Sequence, residues 1–302
     1  MIRTPPRFGP LRGHGRFEYA ALHERVGFHW PDGRKLALYV GLALEHFAFG
    51  EGLGPTLAPS APVDVLNGSW REYGNRVGVW RCLDLFDELG WPVGAFVNTA
   101  LYDHCPQVVA AFAERGDELI AHGHTSAERQ GAWPEDQERA LLVHCRERMF
   151  EMHGTLPRGW LSPWTSESPV TVDLLHETGY RYTLNWCHDD QPVAMRTRRG
   201  GVLWSVPCPQ ELNDVTMILL RQMDAKDFAQ MIVDQFDEML EQTRRDEAPS
   251  LVMGVALHAY IVGQPFRLRH LRRALRHIAG QVGREVWITT PGAIVEALAG
   301  PA

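Results

Sequence analysis

KLALYVGLALEHF, residues 35–47, decides the fold. Its nearly unbroken apolar run reads as a strand buried on both faces, the kind found in a covered parallel sheet. The run stops at Glu45 and His46. An acid and an imidazole at the end of a buried strand cost free energy unless something satisfies them. In α/β folds the C-terminal end of a strand is where active sites sit.

Downstream, the same pattern repeats. After a long loop over 47–70, residues 75–89 have apolar positions at helical spacing and close on Gly90. Strands are then expected at 93–97, 117–124, 158–163, 180–186, 201–207, 250–258 and 285–290. Helices are expected at 106–116, 134–154, 168–179, 225–245, 267–282 and 291–298. About eight strand–helix units without a composition break imply a parallel sheet with right-handed crossovers. Length and count favour a single irregular (β/α) barrel of seven to eight strands over residues 35–302. No glycine-rich phosphate fingerprint follows any strand, which argues against a dinucleotide fold. Upstream, residues 1–34 read as an extended arm. Its aromatic residues Phe8, Phe17, Tyr19, Phe28 and Trp30 are expected to pack on the barrel or on a second subunit, which points to a homo-oligomer.

Composition narrows the partners. The net charge of −7 is spread over mixed charges, which argues against nucleic acid or an anionic membrane. No apolar run approaches the roughly 20 residues of a membrane span. The N-terminus lacks the apolar core of a signal peptide, so a cytoplasmic protein is expected. The five cysteines form no C-x-x-C, and buried reduced thiols are the expectation, with Cys187 in a candidate site loop.

Several expected strands finish in polar residues: Glu45-His46, His122-Gly123-His124, Trp160 to Trp164 with Glu167 just beyond, the loop from Asn185 to Pro192, and His258. One such histidine is ordinary packing. Five polar strand ends on one barrel rim point to a site. Available there is general acid–base chemistry. Glu45, desolvated between apolar walls, is expected to have a raised pKa and to act as a base on water. His258 is expected to protonate a leaving nitrogen and stabilise an oxyanion. Asp190 is a candidate to orient a histidine. No G-x-S-x-G elbow is present, so activated water fits better than a covalent intermediate. His46, His122 and His124 are conceivable zinc ligands, but no compact H-x-x-x-H pairing occurs, and a metal-free site is the favoured reading.

These residues resemble the polysaccharide deacetylase (NodB-homology) superfamily, and within it the branch of cofactor-independent allantoinase and related cyclic imide hydrolases. The most specific stretches are EYGNRVGVWRCLDLFDE (72–88), RGWLSPWTSES (158–168) and LHAYIVGQPFRLRHLRRAL (257–275). The family's T-F-D-D pair, base then metal ligand, falls on Glu45 and His46. Its H-[ST]-x-x-H falls on His122 and Ser126, its R-x-P-Y on Arg158 to Leu161, and its L-x-H on Leu257-His258.

The resemblance implies an irregular (β/α) barrel and hydrolysis of a non-peptide C–N bond, with ring opening of a small cyclic amide, imide or ureide as the expected reaction. It implies Glu45 as base and His258 as acid. His46, Tyr73, Arg76, His122, His124, Trp160, Trp186 and Asp190 would shape the substrate pocket. No cofactor is expected. Zinc held through His46 and His122 belongs to the alternative, a metal-dependent deacetylase of an N-acetylated sugar. A non-catalytic ligand-binding member is the third reading.

Overall fold

A computed structural model of the chain describes residues 13–25, 27–61 and 63–299. Nine strands lie in one sheet among these residues: β1 (Leu36–Leu44), β2 (Gly94–Val97), β3 (Glu118–Ala121), β4 (Gly159–Trp160), β5 (Tyr182–Thr183), β6 (Val193–Arg196), β7 (Val202–Ser205), β8 (Leu251–His258) and β9 (Val286–Ile288). Their order is β6-β7-β5-β4-β3-β2-β1-β8, with β9 added to β1. Every pairing is parallel except β6 with β7.

Side chains on β1 alternate between two cores, as the two-residue period of a strand requires. Leu36, Leu38, Val40, Leu42 and Leu44 face the helices, whereas Ala37, Tyr39 and Ala43 face an inner core with Phe96, Tyr182 and Ala256. The sheet thus wraps an inner core and is covered outside by helices, the irregular barrel that was expected. Between β7 and β8 there is no hydrogen-bonded ladder. The segment 206–214 fills that gap: the Tyr39 hydroxyl donates to the Pro207 carbonyl at 2.6 Å, and Asn213 bridges Ala256.

Four elements depart from the sequence expectation. The helix expected from residue 75 begins at Val65, capped by the Asp64 carboxylate accepting from Asn67 N–H. It passes through a π-helical stretch over Gly74–Gly78 into the helix Val79–Leu89. A Cβ on Gly78 would overlap the Ala259 carbonyl, so this glycine lets the helix approach the turn after β8. β4 and β5 have two residues each, far shorter than 158–163 and 180–186 suggest. β6 is an antiparallel strand inside what reads as a loop.

The N-terminal arm packs on its own barrel. Arg16 makes a two-pronged contact with Asp173, Phe17 stacks on His188, and Phe28 meets Trp30 edge-on. Tyr19 is exposed. Phe8 lies outside the described residues. No helix among the described residues is long and apolar enough to cross a membrane.

Candidate active site

The alternation on β1 carries past its last hydrogen-bonded residue. Positions 37, 39, 41 and 43 face the inner core, so Glu45 does too, at its mouth. Ala43 is level with His258 on β8, and Val97 on β2 is level with Ala121 on β3. Glu45, Asn98, His122 and His258 therefore come together because four parallel strands end at one height.

In this cluster the Glu45 carboxylate lies between two imidazoles. His122 Nε2 is 3.6 Å from one oxygen and His258 Nε2 is 3.9 Å from the other. The second oxygen, Oε2, is buried with no hydrogen-bond partner among the described residues. His122 is oriented by its Nδ1 against the Leu161 carbonyl at 2.6 Å. His258 is held by Asp214, whose carboxylate pairs with Nδ1 at 2.6 Å and accepts from the His258 backbone N–H at 2.9 Å. All three open onto a cavity of about 390 Å³ that is also lined by Phe47, Pro55, Trp164 and Asn213.

The charges support one another. Burial pushes the Glu45 carboxyl up, but His258 and His122, with the Ser126 hydroxyl, outweigh it and bring the group below its ordinary value. Burial pulls the His258 imidazole down, but the Asp214 and Glu45 carboxylates outweigh it and hold the ring above its ordinary value. The expected raised pKa of Glu45 is thus reversed in direction: desolvation is present, and the facing imidazoles exceed it.

Beneath the cluster, Asn98 ties three strand ends together. Its side-chain oxygen accepts from the His46 backbone N–H at 2.9 Å and from Ser126 Oγ at 3.0 Å, while its amide donates to the His122 carbonyl.

Other sequence-designated residues sit elsewhere. His46 follows Glu45 and so points to the other side. Its ring stacks on His104 at 3.9 Å and, with His124, faces a neighbouring cavity. Trp160 is a core residue, packed on Tyr180 and bonded to Ser162 Oγ. Trp186 donates to Glu167 under the arm. Asp190 lies at the opposite end of β8, where its carbonyl accepts from Val252 N–H. Tyr73 is engaged with the Arg81 guanidinium, and Arg76 is an exposed partner of Glu72. The aromatic wall is Trp164, and the histidine-orienting acid is Asp214 rather than Asp190.

Trp164 and Thr165 both have positive φ, 61° and 50°. Such non-glycine backbone costs about 1–3 kcal/mol each and clusters at sites. A Trp164 Nε1 bond to the Ser126 carbonyl at 2.9 Å helps to hold the loop.

The family's metal would need His122, the position of His46 and the position of Ser126. Of these, only His122 offers the cluster an imidazole nitrogen. The His46 ring is committed to His104, and the Ser126 hydroxyl donates to Asn98. Among the described residues no three His, Cys, Asp or Glu side chains are grouped to hold a metal ion. These donors do not fit that centre.

Comparison with known proteins agrees with the fold. The family model for polysaccharide deacetylase matches residues 72–183. A Schizosaccharomyces pombe protein of the polysaccharide deacetylase type is 26% identical over 283 residues, 88% of this chain and 86% of that one. A peptidoglycan deacetylase of Helicobacter pylori is 24% identical over 271 residues, 78% of this chain and 88% of that one. Among solved structures, PuuE allantoinase superposes with a TM-score of 0.80 at 24% identity, over 93% of this chain and 97% of that one.

Proposed function

We propose that this chain, a member of the polysaccharide deacetylase superfamily, is a hydrolase of non-peptide C–N bonds that opens a small cyclic amide, imide or ureide by metal-independent acid–base catalysis. One observation carries the reading: the Glu45 carboxylate faces the His258 ring, itself backed by Asp214, across a cavity of about 390 Å³. Water held by Glu45 attacks the ring carbonyl while the carboxylate takes its proton. His258 Nε2–H steadies the oxyanion and then passes its proton to the departing ring nitrogen. The proton on Glu45 returns the imidazolium through solvent exchange. Water adds across one C–N bond, leaving on one opened chain a carboxylic acid and the released nitrogen group: an amine from a cyclic amide, a carboxamide from an imide, a ureido group from a ureide.

Cavity shape supports a small ring over a polymer. Leu53 N–H donates to the Ala127 carbonyl at 2.7 Å, drawing the 47–64 loop across the rim, and Pro55 of that loop lines the cavity. A sugar deacetylase remains the second reading, favoured by the names of the sequence relatives. Hydrolysis of allantoin, hydantoin, dihydrouracil and succinimide, with chitooligosaccharides as controls and with and without chelator, separates the two. Turnover of a ring unaffected by chelator is expected. Deacetylation that is lost on chelation would sink the proposal.

A further inference from the structure

At Glu45 the reacting cavity meets a second one of about 560 Å³, lined also by Phe47, Arg71, Asn75, His46 and His104. Phe47 stands between them. Tyr260 of the first cavity meets its ring edge-on, and the Arg71 guanidinium lies over it, 5.1 Å from the centroid.

The Arg71 side chain is only 10% exposed. Its Nε donates to the Asn67 carbonyl at 2.9 Å. Its nearest acid is Asp64, at 3.7 Å, beyond hydrogen-bond length. Asp64 is already engaged by the backbone N–H and side-chain amide of Asn67. The two terminal amino groups of Arg71 therefore have no acceptor among the described residues. A guanidinium keeps its charge when largely buried, and these amino groups, with only the distant Asp64 carboxylate for a counter-charge, line the second cavity. Burial pulls the Arg71 guanidinium below its ordinary value, against Asp64, Tyr260 and, least, Glu45, which favour its charge. Backbone closes over it as well: a Cβ on Gly54 would overlap the guanidinium.

A planar fork with free N–H groups matches a carboxylate in two-pronged geometry. We infer that Arg71 is a specificity-determining residue that binds a carboxylate carried by the ring Glu45 attacks, the substituent passing Phe47 into the second cavity. This rests on the ring-opening reading and narrows its substrate class to anionic rings. The positive charge of Arg71 also offsets the repulsion such a substrate meets from Glu45.

The test compares hydantoin-5-acetate with its neutral acetamide, by kcat/KM and by calorimetric Kd, in the wild-type chain, Arg71→Met and Arg71→Lys. The wild type is expected to prefer the carboxylate by about tenfold or more, from charge-assisted pairing. Arg71→Met should bring the ratio to within about twofold of one, and Arg71→Lys, which keeps charge but loses the fork, to an intermediate value. A wild-type ratio near one, or a preference that survives in Arg71→Met, overturns the inference. If neither compound is hydrolysed, the ring-opening reading falls, and Kd decides alone. Tighter carboxylate binding lost in Arg71→Met sustains the Arg71 site, and equal or absent binding overturns it.

Discussion

Asp214 grips His258 twice, with one carboxylate oxygen 2.6 Å from Nδ1 and the other 2.9 Å from the backbone N–H. Fully buried Asp214 thereby fixes the ring's rotation and favours its protonated form. Asp214→Asn keeps the shape but removes the charge that favours the imidazolium. We expect kcat/KM to fall about a hundredfold or more, the scale of a lost general acid. The alkaline limb of the pH–rate profile should move to lower pH. A fall in rate with an unmoved limb would mean that Asp214 acts only by packing.

The opposite shifts of Glu45 and His258 set the pH window. The proposed mechanism requires ionised Glu45 and protonated His258. The carboxyl lies below its ordinary 4.5 and the imidazole above its ordinary 6.5. A plateau of kcat/KM from below about 4.5 to above about 6.5 is the expected profile. Stability follows the same signs. The raised His258 contributes stability that is complete below its unfolded value and is lost as pH rises through the folded one. The depressed Glu45 contributes stability present above its unfolded value and lost as pH falls through the folded one. Thermal unfolding across pH should therefore show Glu45→Gln with a flatter acid side than wild type. Parallel acid limbs would place the acid sensitivity elsewhere.

Parity along strands explains what could and could not be read from sequence. That KLALYVGLALEHF is a buried strand ending in a site is legible, because the apolar run and its abrupt end are both local. The partition of its two terminal residues is legible too, but only if the two-residue period is carried one step past the run: Glu45 turns in and His46 turns out. Trp160 falls to the same rule, facing the outer core from β4. Asp214 was hidden for another reason. It sits in the aperiodic segment 206–214, which fills a gap between strands through a single bridge and offers no hydrophobic period to mark it. The same absence of a local signal sent the histidine-orienting role to Asp190, whose polar neighbours look site-like but cap the far end of β8.

Asn98 links the first three strand ends, and its removal should be felt as stability rather than as chemistry. Asn98→Ala strands the His46 N–H and the Ser126 hydroxyl, which it accepts from, and the His122 carbonyl, which it donates to. Each buried unsatisfied group costs about 1–3 kcal/mol. With partial relaxation we expect a loss of about 2–4 kcal/mol by denaturant titration. A loss below about 1 kcal/mol would show that these groups find other partners.

Gly52 is the hinge by which the 47–64 loop reaches the rim. Its φ is +67°, a conformation that favours glycine. A Cβ there would also come within 2.6 Å of the Ala127 carbonyl, the group that accepts from Leu53 N–H at 2.7 Å. Gly52→Val is doubly excluded, by backbone preference and by overlap, so the loop must lift away from Ala127. Most of the loop surface is exposed, so little core packing is lost and the unfolding midpoint should hardly move. The cavity wall at Pro55 would retreat with the loop. Because the proposed acid–base pair Glu45 and His258, with Asp214 behind it, is carried by the end of β1, by β8 and by the segment 206–214, not by this loop, the loss should fall on KM, by about tenfold, more than on kcat. Steady-state kinetics on a ring substrate decides it: equal KM in both forms would show that the loop borders the cavity without closing it.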